Sequence, residues 1–376
     1  MTTADDTGAA LPARRRVVLT GISSRAWEHP ADRGALTALR ELRGFDEVIK
    51  AFVGMWNERS FRLSYLAAGI RVDHRQYPRV HQRYAEAASA LDLAELPELF
   101  VTQSPWITAE AVGLDRPFVV LGSGAINQLD DDELRCLLGH ELGHVVSGHA
   151  VYKTMLTILS RWAANLSWLP VGALALRAII AAMLEWWRKA ELSADRAGLL
   201  AGQDPAAATR LLIKLAGGGD LSQIDTAAFL EQASEYDGGG DLRDSVHKLR
   251  MTAWSSHPAP VARAADLRRW VDSGEYGRIL AGDYPRRDDD GSSSVTDEIR
   301  AAAQSYRESF NSSADPLVGL LRRLGDGAGE VGAFVGGGVG RARAWAGAAG
   351  EAAARAARAR RATGDAHWPG PADPVD

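Results

Sequence analysis

The sequence predicts a predominantly helical α+β protein, and three observations support that fold class. Residues 31–95 and most of 131–216 place apolar side chains three and four positions apart, the spacing of amphipathic helices. Runs typical of strands are short: LFVTQ at 99–103, and FVVLGSG, which begins at Phe118. The helix predicted over 131–149 carries the polar motif HELGHVVSGH inside an apolar run. We therefore expect a helical domain with a small β element beside one unusual helix.

The composition is that of a globular protein, with 46% hydrophobic and 24% charged residues among 376. The formal net charge of −5 gives no indication of a nucleic-acid partner. Cys136 is the only cysteine, which excludes an internal disulfide and fits a reducing compartment. No long apolar run follows the charged N-terminus, so no secretory signal is predicted and we expect a cytoplasmic protein.

Changes in composition divide the chain into three parts. Residues 1–13 are predicted to be disordered, residues 14–283 to form one domain, and residues 284–376 to be a linker with a low-complexity tail rich in Gly, Ala and Arg. The linker prediction rests on RRDDDGSSS, which follows Pro285. The Ala/Arg segment of the tail could form a helix with a basic face, but its low complexity makes it a poor core builder.

Residues 154–187 are unusually apolar. Their longest uncharged run is bounded by Arg161 and Arg177 and interrupted by Pro170, so it is shorter than the ~20 apolar residues of a spanning helix. We predict a buried helical hairpin. The alternative is a hairpin that enters one leaflet of a membrane, since four tryptophans lie here and tryptophan favours membrane interfaces.

The helix predicted from 131 begins with a capping signal, Asp130 with Glu133 three residues later. At 100° per residue, His140 and His144 lie about 40° apart, one turn from each other. Two imidazoles at that spacing can bind one tetrahedral Zn²⁺. Glu141 falls in the apolar stripe, where a carboxylate is disfavoured unless a metal and its water lie beside it. The pattern predicts a metal-activated water with Glu141 as its general base.

Other features of this helix leave alternatives open. Gly139 and Gly143 lower its helix propensity by roughly 1 kcal/mol each, and their small size would let a strand or a substrate approach closely. The motif could also be a chance HExxH on a core helix, with histidines satisfied by local hydrogen bonds. His149 lies about 180° from His140 round an unbroken helix, so we expect a packing or helix-end residue there. The positions after His144 lack the glycine and histidine of the metzincin pattern, which excludes that class.

A catalytic zinc site needs a third protein ligand, and the best candidate lies in RKAELSADRAG, residues 188–198. Glu191 and Asp195 are four residues apart, on one face of a helix. Glu191 could bind the metal while Asp195 orients a ligand histidine through its free ring nitrogen. The alternative is an ordinary surface helix, with Glu191 paired to Arg188 and Asp195 solvated.

Three motifs in order resemble those of one family of zinc endopeptidases: HELGH, then ELSAD about 47 residues later, then SSHPAPVAR at 255–263. The family includes the CAAX-prenyl-protein proteases and the heat-shock-induced bacterial membrane proteases, which are gluzincins with HExxH followed by ExxxD. The likeness covers roughly residues 80–270. It implies a gluzincin-like domain with an active-site helix and a nearby edge strand.

The resemblance also implies roles for individual residues. It makes His140, His144 and Glu191 the ligands of one Zn²⁺ per chain, with Glu141 as general base. Asp195 would support the ligands. In the third motif, His257 would help to stabilise the oxyanion of the tetrahedral intermediate, and Arg263 is the matching arginine.

Two features depart from the family. Its members often have Asn-Ala on an edge strand that binds the substrate backbone, and the best match here is Thr108-Ala109. The role of the asparagine is therefore not transferred. A clear pair of transmembrane helices is also missing from the sequence.

We therefore predict a zinc metalloendopeptidase that acts on a protein or peptide, with the substrate paired along the strand near 108–121. One alternative is a catalytically silent zinc protein that serves as a binding or chaperone-like scaffold. The other is a scaffold at a membrane surface, with peripheral contact through 154–187 or the Arg-rich tail.

Overall fold

A computed structural model describes residues 16–40, 58–114, 116–165, 172–238 and 258–292. The helices are α1 (Pro30–Arg40), α2 (Glu58–Ala68), α3 (Pro78–Ala90), α4 (Ser123–Gln128), α5 (Asp131–Val146), α6 (His149–Asn165), α7 (Gly172–Gly202), α8 (Pro205–Gly217), α9 (Thr226–Gly238), α10 (Pro260–Asp272) and α11 (Glu275–Leu280). The strands are β1 (Ile70–Arg71), β2 (Leu99–Thr102), β3 (Ala109–Val112) and β4 (Phe118–Gly122). The predicted α+β class, mostly helical with a small sheet, is confirmed.

The sheet has the strand order β1-β2-β4-β3 within the described residues. The β2–β4 pair is parallel, and the other two pairs are antiparallel. All of β4 is buried, and neighbouring strands pair with both of its edges. The expectation that a substrate pairs anywhere along 108–121 is therefore wrong for 118–121, and β3 is the edge strand of this stretch.

Along β3, the backbone N–H and C=O groups of successive residues point alternately towards β4 and away from it. The amide of Gly122 donates to the carbonyl of Thr108, so Thr108 and Gly122 form a hydrogen-bonded pair of the antiparallel β3–β4 ladder. Alternation then turns the backbone groups of Ala109 and Ala111 away from β4. The next outward amide, that of Gly113, donates to Thr154 Oγ1 on α6. Ala109 is partly exposed and Ala111 is buried, so the accessible edge is short.

The core centres on α5, which packs most extensively on α7 and also on α3 and α8. Small residues make the α5–α7 contact close. A Cβ added at Gly143 would lie 2.5 Å from Ala197 Cβ, and one added at Gly198 would lie 2.7 Å from the carbonyl oxygen of Cys136. The glycines of α5 therefore admit a second helix, where we had expected a strand or a substrate.

The helix of the HExxH motif is shorter than predicted. It starts with a capping box formed by Asp130 and Glu133, as the sequence indicates, but it ends at Val146. Gly148 then adopts a φ of +71°, and α6 begins at His149. A positive φ favours glycine and terminates helices. The predicted range 131–149 is therefore wrong at its C-terminal end.

The apolar segment 154–187 lies largely within α6 and α7, with 166–171 outside the described residues. α7 is a single helix that continues from this apolar segment through Glu191 and Asp195. A second core cluster holds α6 and α7 together with α1; it includes Met155, Leu159, Met183, Trp186 and Leu39. Among the described helices, none is both long and apolar enough to cross a membrane.

The start of the predicted linker contacts the domain. The carbonyl of Pro285 accepts from the amide of Ser23, and Arg287 donates to the carbonyl of Ile22. The described domain thus extends past the expected boundary at 283. The predicted disordered segment 1–13 and the tail from 293 lie outside the described residues.

Candidate metal centre

Three buried side chains converge between α5 and α7. His140 and His144 lie one turn apart on α5, and their Nε2 atoms are 3.1 Å from each other. Glu191, on α7, has one carboxylate oxygen 3.6 Å from His140 Nε2 and the other 3.4 Å from His144 Nε2. The three side chains are between 1% and 6% exposed. The alternative of Glu191 on a surface helix is wrong, and Arg188 contacts Glu185 instead.

Asp195 lies behind His140, one turn after Glu191 on α7. Its Oδ1 atom is 3.0 Å from His140 Nδ1. Because a carboxylate only accepts, His140 donates through Nδ1, and in the neutral imidazole Nε2 then keeps its lone pair on the side that faces His144. Burial disfavours a charged His140, but the hydrogen bond to Asp195 and the charge of Glu191 outweigh burial and raise the pKa of this histidine.

Arg263 reaches the same cluster from α10. Its guanidinium donates to both oxygens of Asp195, at 2.5 and 2.7 Å, and lies 3.3 Å from Glu191 Oε2. Burial would raise the pKa of Asp195, but Arg263 and His140 hold it below its usual range. Asp195 is thus kept as a carboxylate that can accept from His140.

The ring of His144 is held on two sides. The indole of Trp187 stacks on it, with ring centres 4.6 Å apart and planes 24° apart. Its Nδ1 atom lies 3.1 Å from Nδ1 of His149. Burial lowers the pKa of His144 well below its ordinary value, which keeps the imidazole neutral. A neutral ring is the form in which histidine binds metals.

Glu141 lies on α5 beside the first histidine and is 3% exposed. Burial raises the pKa of Glu141, although the charges of His140 and Lys153 oppose this. Within the described part of the chain, no group donates a hydrogen bond to its Oε2 atom. A buried carboxylate oxygen with that environment fits a position beside a metal ion and a water molecule.

The donor set suits a metal ion. One atom from each of His140, His144 and Glu191 can be chosen so that all three lie within 4.8 Å of one another. Two imidazole nitrogens and one carboxylate are a ligand set of catalytic zinc sites, which leave a fourth position open. Two ring nitrogens that both keep lone pairs would repel each other at 3.1 Å, and a cation between them removes that repulsion.

The remaining predicted residues are less closely tied to this cluster. His257 lies outside the described residues, which resume at Pro258 just before Arg263. Thr108 and Ala109 lie at the start of the β3 edge, where Thr108 is exposed. β3 contacts both α5 and α6, so this edge borders the helices that carry the histidines.

Two residues behind His144 were not predicted for the site, His149 and Asp32. His149 would face away from His140 on an unbroken helix, but the helix ends at Val146, and the Ser-Gly pair before His149 indicates that end. Asp32 comes from α1, more than a hundred residues earlier. No local pattern connects it to the motif.

The chain is similar to known metallopeptidases. Residues 74–271 match the model of peptidase family M48. The chain is 35% identical over 259 residues to the "Plastoglobule-localized metallopeptidase 48, chloroplastic" of Arabidopsis thaliana. The aligned stretch covers 68% of this chain and 74% of that protein.

Bacterial relatives match shorter stretches. The "Protease HtpX homolog" of Tropheryma whipplei (strain Twist) is 30% identical over 185 residues, or 42% of this chain and 63% of that protein. The "Protease HtpX homolog" of Bacillus subtilis (strain 168) is 29% identical over 125 residues, or 33% of this chain and 38% of that protein. No solved structure gives a significant match.

Proposed function

Because the chain belongs to peptidase family M48 and is a metalloprotease, we propose that it is a zinc-dependent endopeptidase whose metal is held by His140, His144 and Glu191. One observation carries the proposal. Two imidazole nitrogens and a carboxylate meet in a buried site, next to a second buried carboxylate, Glu141, on the same helix. That combination provides both the ligands of the metal and a base for hydrolysis.

Zn²⁺, when bound, supplies a Lewis acid that polarises the scissile carbonyl and lowers the pKa of water. The chain itself supplies the proton transfer. Glu141 takes the proton of the attacking water and delivers it to the leaving amine. Burial favours this role, since it raises the pKa of Glu141 towards the range in which a carboxylate both accepts and returns a proton.

Asp195 and Arg263 are proposed to act as positioning residues. Asp195 orients His140 through Nδ1, and Arg263 keeps Asp195 ionised and in place. We also propose His257 as the group that stabilises the oxyanion, because its motif continues into the segment that carries Arg263. A donor aimed at the developing negative charge would lower the barrier.

The substrate is proposed to be an extended peptide that adds a strand to the edge of β3, beginning at Thr108 and Ala109. The outward direction of the Ala109 backbone groups supports this position. Because such pairing uses the backbone of the substrate and not its N- or C-terminus, it favours cleavage within the peptide. Peptides blocked at both ends are therefore expected to be cleaved.

We propose a cytoplasmic location, with peripheral contact to a lipid surface as a secondary property. The location in the name of the plant relative supports such contact. Flotation of the full chain with lipid vesicles would detect it, and protein that stays with the soluble fraction would contradict it.

The proposal is tested with zinc content and cleavage of end-blocked peptides, measured on the same samples. Glu141→Gln should retain about one zinc per chain and lose about 10²–10⁴-fold in rate, the range for a general base. Glu191→Gln should lose most of its zinc. The matched control is Glu133→Gln, which makes the same change to a buried carboxylate at the other end of α5 and should keep both properties.

Unchanged cleavage by Glu141→Gln would contradict the assigned base. A wild-type protein that binds no zinc even after loading would exclude the proposed function altogether.

A further inference from the structure

A line of buried polar side chains leads away from the candidate metal centre on the side opposite Asp195. His149, the first residue of α6, has its Nδ1 atom 3.1 Å from Nδ1 of His144. Its other nitrogen, Nε2, is 3.1 Å from Oδ2 of Asp32 on α1. All three side chains are buried. The line therefore connects the N-terminal helix to one of the proposed ligands.

The chemistry of the line specifies where each proton lies. A carboxylate only accepts, so Nε2 of His149 carries the proton that faces Asp32. In a neutral imidazole the other nitrogen, Nδ1, then keeps its lone pair and accepts from His144 Nδ1. His144 must consequently leave its own Nε2 unprotonated, on the side that faces His140 and Glu191.

We propose that Asp32 and His149 are positioning residues that hold His144 in the tautomer and orientation required of a metal ligand. This inference rests on the proposed metal site and extends it. His140 is oriented directly by a carboxylate, Asp195, whereas His144 is oriented by a carboxylate through an intervening histidine. The two arms approach the site from α7 and from α1.

Asp32 is itself held rigidly. Its Oδ1 atom accepts from the indole nitrogen of Trp186 at 2.9 Å, and its Oδ2 atom accepts from Ser193 Oγ at 2.6 Å. The same Ser193 hydroxyl accepts from the backbone amide of His29, just before α1. A carboxylate with this many donors is a fixed acceptor, which is what orientation of His149 requires.

A merely structural role is the competing explanation, because the same contacts also attach α1 to α7. Asp32→Asn separates the two, since it keeps the size of the side chain. Trp186 can only donate, so the amide oxygen of the new side chain faces the indole and its nitrogen faces His149. His149 then accepts through Nε2 and donates through Nδ1. The direction of both hydrogen bonds is then reversed, and the proton of the neutral His144 lies on Nε2, its metal-binding nitrogen.

The experiment measures the zinc dissociation constant by competition with a chelator, and the visible spectrum of the Co²⁺-loaded protein. Asp32→Asn should weaken zinc binding about 10–100-fold, the usual effect of losing a group that orients a ligand, and should shift the Co²⁺ bands. His149→Leu should weaken binding at least as much. His149→Asn, which keeps an acceptor for His144, should bind zinc more tightly than His149→Leu.

Glu133→Gln is again the matched control, and it should leave zinc affinity and the Co²⁺ spectrum unchanged. Thermal unfolding of each metal-free variant measures stability separately. Wild-type zinc affinity and Co²⁺ spectrum in Asp32→Asn, or equal affinities for the two His149 variants, would overturn the inference while leaving the proposed function in place. Wild-type protein that binds neither metal would instead reject the function on which the inference depends.

Discussion

At the scale of single residues, the site depends on buried charges that have partners. Arg263, Asp195 and Glu191 are each less than 9% exposed, and the guanidinium of Arg263 lies within ion-pair distance of both carboxylates. Such pairs contribute little net stability compared with apolar side chains, but removal of one partner leaves a buried charge uncompensated. The arginine is therefore the member whose loss should be most costly.

Arg263→Met is expected to lower the free energy of unfolding of the metal-free protein by about 3–5 kcal/mol, because two buried carboxylates lose their cation. Chemical denaturation measures the change. The control is Arg268→Met on the same helix, where the arginine is 59% exposed and pairs with the exposed Asp272; its effect should stay within about 0.5 kcal/mol. Equal effects of the two substitutions would contradict the importance of burial here.

Residue-scale features differ in how far sequence could predict them. The relation of His140, His144 and Glu141 follows from the helical repeat alone, because the three share five consecutive positions. The interaction of Asp195 with a ligand histidine was predicted from its spacing to Glu191, yet which histidine it contacts depends on how α7 lies on α5. The contact between Asp32 and His149 spans over a hundred residues, and nothing in the local sequence indicates it.

At the scale of elements, the closeness of α5 and α7 brings the ligands together. Glycine and alanine line both helices where they meet, so their backbones approach more closely than larger side chains would allow. The propensity lost at Gly139 and Gly143 is offset by this packing. Glu191 consequently reaches the two histidines across the interface.

Gly143→Ala is expected to destabilise the fold by about 1–3 kcal/mol, the range for overpacking, because the new methyl group would lie 2.5 Å from Ala197 Cβ. Denaturation of the metal-free protein measures this. Gly277→Ala on α11 is the control: an added Cβ there meets nothing within 4 Å, so a neutral or slightly stabilising effect is expected. A neutral result at Gly143 would show that α5 and α7 can separate without cost.

At the scale of the whole molecule, residues from both ends of the described chain meet. The backbone of Arg287 donates to the carbonyl of Gly21, and Asp290 accepts from the hydroxyl of Ser23. Arg287 also contacts the carbonyl of Asp92, after α3. The strongly charged composition of 286–290 indicates a linker, but backbone groups of the N-terminal segment supply partners that composition does not reveal.

A chain that ends after Asp283 should therefore be less stable than one that ends after Ser292. Four hydrogen bonds to Gly21, Ile22 and Ser23 are lost, at about 0.5–1.5 kcal/mol each. Comparison of the free energies of unfolding of the two truncated chains tests this. If the shorter chain does not fold, Arg287→Ala in the full chain provides the second measurement. Equal stability of the two truncated chains, with no loss of stability in Arg287→Ala, would support the predicted end of the domain at residue 283.

Local information was enough for the features that repeat within a few residues. Helical periodicity, the capping signal at Asp130 and the HExxH spacing each arise from contacts inside one element, so they indicated the helical class, the active-site helix and two of the proposed ligands. Features that depend on the meeting of distant segments required the folded chain. Strand order buries β4 and leaves β3 at the edge, the break at Gly148 turns His149 towards His144, and the packing of α1 on α7 brings Asp32 to His149. Such contacts arise from packing between separate elements, whose arrangement no short stretch of sequence specifies.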